Sequence, residues 1–99
     1  EELILNNGLK VKLLGIKTNS KKEHDAVNFL IQKTKNKQVF LRYDTTKYNS
    51  ENILLVYLYL KNKTFVNSHL IKKGLVDVDV SLDYSYKDKF IKLKEQIHG

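Results

Sequence analysis

Few side chains in this sequence have the chemistry of a catalytic or metal centre. Cysteine is absent, which excludes disulfides and thiolate metal sites. The three histidines stand far apart, at His24, His69 and His98. His24 falls in the first turn of an expected helix, where a lone imidazole is ordinarily a surface group. No glycine-rich phosphate loop is present, and no Ser/His/Asp set has supporting context. Ser20 and Glu23 have the S-x-x-E spacing of a capping box. That box, in which Ser accepts from an orphan N–H and Glu reaches back, explains both residues more simply than a general base at Glu23 does. Lysine is the abundant chemical group. Lys10 and Lys12 alternate onto one face of an expected strand, and Lys17 lies in the loop just beyond. Clustered ammonium groups attract polyanions, whereas scattered ones are solvated surface.

The elements that must position these residues are organised around 53–80, ILLVYLYLKNKTFVNSHLIKKGLVDVDV. Residues 53–60 are an unbroken apolar and aromatic run, which predicts a strand buried on both faces. Lys61-Asn62-Lys63 is a polar turn. Residues 66–73 place Val66, Leu70 and Ile71 on one face of a short helix, and Gly74 stands where a helix ends in a left-handed residue. Residues 75–80 alternate Val76, Val78 and Val80 against Asp77 and Asp79, a period-two edge strand.

Upstream, residues 3–5 and 9–16 are expected strands joined by the hairpin signal Asn6-Asn7-Gly8. Gly15 near the end of the second predicts a bulge or a close backbone approach. A helix from Ser20 to about Lys35, stopping at Asn36, should bury Ala26, Val27, Phe29, Leu30 and Ile31. Residues 38–44 form the next strand, and 45–52 (TTKYNSEN) a polar loop. The last segment, about 83–97, places Tyr86, Phe90, Leu93 and Ile97 on one helical stripe. The order is β-β-α-β-β-α-β-α.

The length, 99 residues, is that of a single domain spanning 1–99. Its net charge is +7, from 18 basic and 11 acidic residues, and Arg42 is the one arginine. A basic domain suits a polyanionic partner, but a chain crowded with Lys, Asn and Ile is also what an AT-rich genome produces. No apolar run approaches the ~18 residues of a membrane span and there is no signal peptide, so the expectation is a cytoplasmic chain without a membrane partner. The first residue is Glu, not Met, which suggests a piece excised from a longer protein.

Two stretches resemble the staphylococcal-nuclease-like (thermonuclease) family. Val11-Lys12-Leu13-Leu14-Gly15-Ile16-Lys17-Thr18 is similar to that family's V-R-L-x-G-I-D-T-P-E. Tyr57-Leu58-Tyr59 followed by Val66-Asn67-Ser68-His69-Leu70-Ile71-Lys72-Lys73-Gly74-Leu75 is similar to its Y-x-Y…V-N-x-x-L-V-x-x-G-L-A. The resemblance implies a mainly β, α+β fold: a five-stranded OB barrel with helices packed on it, here expected to lack its first strand and so to leave an open strand edge. The family hydrolyses phosphodiesters with Ca²⁺, using carboxylates for the metal, a Glu to activate water and two Arg on the phosphate. Carried across, the first Arg falls on Lys12, which lacks the planar fork. The metal-binding Asp falls on Lys17 and the Glu base on Ser20. The region of the second Arg is 47–52, which holds none. The nearest acid to the family's other metal Asp is Glu2. No cofactor and no metal are expected.

The resemblance therefore implies a nuclease-like domain without the nuclease chemistry, binding a DNA or RNA backbone through Lys10, Lys12 and Lys17, with Tyr48 in the loop beside them. Tyr43, Tyr57 and Tyr59 offer stacking faces, though on central strands they suit the core better. The lysine-rich form of the domain is also similar to C-terminal extensions of some bacterial DNA-modification methyltransferases, which suggests a tether to such an enzyme. The alternatives are a docking or dimerisation module, with the parent protein or a second copy at the open strand edge, and a residual metal-dependent nuclease.

Overall fold

Residues 2–4, 10–35 and 37–98 are described by a computed structural model. The Asn6-Asn7-Gly8 turn and Asn36 lie outside the described residues. Among them, six strands and three helices follow in the order β1 (Glu2–Ile4), β2 (Lys10–Leu13), β3 (Ile16–Thr18), α1 (Glu23–Thr34), β4 (Val39–Arg42), β5 (Leu54–Leu60), α2 (Val66–Lys72), β6 (Val76–Val78) and α3 (Lys87–His98). One sheet has the order β1-β2-β5-β4 and the other pairs β3 with β6. β5 is parallel to β2 and antiparallel to β4. This α+β arrangement agrees with the OB-like fold that the resemblance implies. Among the described residues, β1 and β4 are each paired along one edge only.

β5 is central because its seven residues, LLVYLYL, are apolar on both faces, and six of them are buried. A strand flanked on both edges and covered on both faces can carry no solvent-facing polar residue. Around it Val11, Leu13, Leu30, Leu70, Ile71 and Phe90 join one contiguous core.

The expected strand 9–16 is two strands, and Gly15 is the reason. Its φ of +81° is open to glycine, and an added Cβ would stand 2.8 Å from the rings of Phe90 and Tyr84. The chain bends there, so β2 stays in the larger sheet and β3 crosses to β6. The place that β2 vacates beside β5 is taken by a side chain. Asn67 on α2, fully buried, accepts from the Leu58 N–H at 2.9 Å and donates to the Leu14 carbonyl at 2.9 Å and the Val56 carbonyl at 3.2 Å. α2 is only seven residues long, too short to stand on helix propensity alone. It rests on the burial of Val66, Leu70 and Ile71 and ends in a Schellman motif. Gly74, at φ +71°, donates to the Ile71 carbonyl at 3.0 Å, and Leu75 donates to that of Leu70 at 3.1 Å.

Three further expectations are corrected. The Ser20–Glu23 capping box does not form: α1 begins at Glu23, preceded by Lys22, with no side-chain cap bond. Asn19 holds a turn instead, its Oδ1 accepting from Lys21 N at 3.0 Å and its carbonyl from Lys22 N at 2.9 Å. That local turn competes with the helix and delays its start. Ala26 and Leu30 are buried as expected, but Val27 (39% exposed) and Ile31 (51%) face solvent, because the stripe of a single 12-residue helix is narrower than five apolar positions. The edge strand ends at Val78, and Val80 is 59% exposed.

Candidate nucleic-acid interface

β2 alternates inward Val11 and Leu13 with Lys10 and Lys12, so the two lysines share the other face of the sheet. Lys10 is exposed and Lys12 half-buried, opposite Leu55 of β5. The bend at Gly15 then carries the chain into β3, where exposed Lys17 stands across from Asp77 of β6. Immediately after β6, Asp79 donates its N–H to the Gly15 carbonyl at 2.9 Å. That bond draws the Asp79 carboxylate within the field of both Lys12 and Lys17.

The Asp79 carboxyl is held below its ordinary range. Its burial pushes the other way, but hydrogen bonds from the Ser81 hydroxyl and amide and the two lysines outweigh it. Tyr84 donates its O–H to the Asp79 carbonyl at 2.7 Å. Burial, then the Asp79 charge, push that phenol up to about 12. Asp77 is engaged by Lys94 of α3 at 3.0 Å. A loop from β6 to α3 is thus fixed over the Lys12 face by Asp79, Ser81 and Tyr84.

Beyond it, Asp44, two residues after β4, makes a second latch. It accepts from the Tyr57 O–H at 2.6 Å, the Ser85 N–H at 2.7 Å and the Thr45 N–H at 2.7 Å. Tyr57 first, then the Ser85 amide, hold this carboxyl well below the usual range. The Tyr57 phenol is pushed up by burial and by the Asp44 charge.

The structure places Lys12 and Lys17 on β2 and β3, either side of the Gly15 bend to which Asp79 is bonded, with Lys10 on the same strand face as Lys12. Tyr48 stands apart from them. It bridges Leu54, which pairs with Val11. Cross-strand partners share a sheet face, so Tyr48 lies on the Val11 side, opposite Lys10 and Lys12, and its ring is 56% exposed. Tyr57 is buried and Tyr59 packs against the core, while Tyr43 is 46% exposed. His69 on α2 is half-buried, its pKa drawn down by burial and then by Lys72, Lys33 and Lys73. Ser20 and Glu23 are exposed. Among the described residues no three of His, Asp and Glu gather where they would hold a metal ion.

Asp79 and Asp44 were not visible as site residues in the sequence. Asp79 read as the polar half of a period-two strand, and only the fold shows that its N–H bonds to the Gly15 carbonyl, at the bend between Lys12 and Lys17. Asp44 had one available signal, its place at the last residue of a strand next to a polar loop.

A family model described as "Staphylococcal nuclease homologue" matches residues 10–97. A comparison with curated proteins gives no match.

Proposed function

The chain belongs to the family of staphylococcal nuclease homologues, and from that membership we propose that it is a non-catalytic nucleic-acid-binding domain, tethered to a DNA-modifying enzyme such as a DNA methyltransferase. The observation that carries the reading is the placement of Lys12 and Lys17 on the strands either side of the Gly15 bend, where the resemblance puts a metal ion and a phosphate. Glu2 stands opposite Lys12 in the β1–β2 ladder and Asp77 is engaged by Lys94, yet Lys10, Lys12, Lys17 and Lys94 against Glu2, Asp77 and Asp79 still leave a net positive charge. A fixed positive charge does for a phosphate what a bound cation does, without a carboxylate cage to hold the cation. It does not supply hydrolysis. Ser20 has no basicity near neutral pH, and a lysine at position 12 lacks the bidentate fork of an arginine. In the proposed role the domain holds a strand by its backbone while the tethered enzyme carries out the reaction.

A second reading, a docking or dimerisation module that binds no nucleic acid, is favoured by the exposed Val27 and Ile31 of α1. Titration of labelled single- and double-stranded oligonucleotides with wild type and with Lys10→Ala, Lys12→Ala and Lys17→Ala separates the two. Binding that weakens in the lysine variants supports the first. Absence of binding at low salt, or equal binding by all variants, supports the second.

A further inference from the structure

We propose that the face of β4 and β5 around Arg42 takes the unpaired bases of a single-stranded nucleic acid. The inference rests on the nucleic-acid-binding reading and extends it from phosphates to bases.

The register of the two strands sets Phe40 opposite Tyr59 and Arg42 opposite Tyr57, so one sheet face carries rings and a guanidinium in alternation. Two adjoining open clefts share Arg42 and Tyr59. One, of about 530 Å³, has Tyr43 and Tyr86 as its other ring walls and the Asp44–Tyr57 pair as its floor. The other, of about 570 Å³, runs past Phe40 to Lys61 and Lys63. Phe40 is 45% and Tyr43 46% exposed, so both offer ring surface to a ligand.

The inner rings are braced from behind. Tyr59 stacks on Phe65 at 4.6 Å between centroids and 12° between planes, and Tyr86 lies 5.8 Å from Phe90 at 20°. Rings already fixed lose little freedom when a base stacks on them.

The charges around these rings are positive. Lys47 lies 5.6 Å from the Tyr43 ring centre and Lys89 5.7 Å from that of Tyr86. Among the described residues no carboxylate stands within salt-bridge distance of Arg42. Asp44, the acid in the first cleft, is occupied by three hydrogen bonds. Aromatic faces interleaved with cations along a groove are the chemistry that binds single strands: bases stack and phosphates pair with the cations. A duplex hides its base faces, so this surface discriminates against it.

The test is a titration of an end-labelled oligothymidylate of about 15 nucleotides, within the reach of one such domain, against a hairpin duplex of the same label. The full chain is used, with Phe40→Ala, Tyr43→Ala, Arg42→Ala and Arg42→Lys beside Lys12→Ala and Lys17→Ala, each checked for folding by far-UV circular dichroism. The chain has six tyrosines and no tryptophan, so quenching of tyrosine emission reports stacking directly. The expected result is single-strand binding that quenches tyrosine. It should weaken roughly 5- to 100-fold in each ring variant, with Arg42→Lys retaining more affinity than Arg42→Ala, while duplex binding barely changes. Wild-type single-strand affinity in all the Phe40, Tyr43 and Arg42 variants, with loss only in the Lys12 and Lys17 variants, overturns the inference and leaves the proposed function standing. No binding of either probe by wild type at low salt overturns both.

Discussion

Asn67→Ala should remove a large part of the stability of this fold. The Asn67 amide stands in for a strand at the point where β2 leaves β5, and it ties α2 to the Leu14 carbonyl, 53 residues earlier in the chain. Without it the Leu58 N–H and the Leu14 carbonyl lose their partners in a fully buried place. The Val56 carbonyl is protected, because it also accepts from the Leu14 N–H at 2.9 Å. Each newly unsatisfied buried group costs about 1–3 kcal/mol, and the small void left by the side chain adds up to about 1 kcal/mol. The expected loss is about 2–7 kcal/mol, against the 5–15 kcal/mol typical of a domain. Urea unfolding followed by far-UV circular dichroism measures it, with the m-value as a check on two-state behaviour. Asn67→Asp is the companion variant. It keeps an acceptor for Leu58 but presents a carboxylate to two carbonyls, so it should be at least as destabilised at neutral pH and partly recover where the carboxyl is protonated. A loss below about 1 kcal/mol for Asn67→Ala, the size of an ordinary surface substitution or little more, would refute the idea that this amide holds the bend.

Gly15→Ala should cost about 2–4 kcal/mol in thermal or urea unfolding, since it combines a positive φ with a methyl placed 2.8 Å from two rings that are themselves packed. Asp44→Asn should alter the acid limb of stability. The folded carboxyl protonates below its unfolded value, so its contribution is whole above roughly pH 4 and is lost as pH falls further. The stability gap between wild type and Asp44→Asn should therefore close on acidification, and a gap independent of pH would remove the charge from the explanation. For the three lysines, wild-type affinity should fall with salt at a log–log slope of roughly −2 to −3, and each Lys→Ala variant should flatten it by roughly 0.7–0.9.

The parts of the fold set by local pattern were legible. The apolar run of β5, the short helix ending at Gly74 and the stripe that Phe90 and Leu93 of α3 share with Tyr86 just before it all follow from periodicity and one glycine. The close approach at Gly15 was legible too, but not its consequence. Leu13, Leu14 and Ile16 are all buried, and adjacent buried residues mark a change of sheet that a two-residue period cannot express. Asn19 outcompeted Ser20 for the start of α1 through a turn whose strength depends on local backbone geometry. The site was less legible than the fold, because it depends on register. Lys17 meets β6 only after the bend at Gly15, and Tyr48 falls on the opposite face of the sheet from Lys10 and Lys12 through a single bridge to Leu54. Neither relation has a trace in the spacing of the residues along the chain.

The most direct test of the central claim is one titration that reads binding and cleavage together. Wild-type protein is mixed with a doubly labelled single-stranded oligonucleotide at low salt, with Ca²⁺ in one arm and EDTA in the other. Anisotropy follows binding and separation of the two labels follows hydrolysis. The account predicts saturable binding with the same affinity in both arms and an intact strand throughout. Loss of any one group from a charge-stabilising site typically costs 10²–10³ in rate, and the proposed reading puts Lys12, Lys17 and Ser20 where the resemblance places three such groups. Cleavage that requires Ca²⁺, or no binding in either arm, would contradict it.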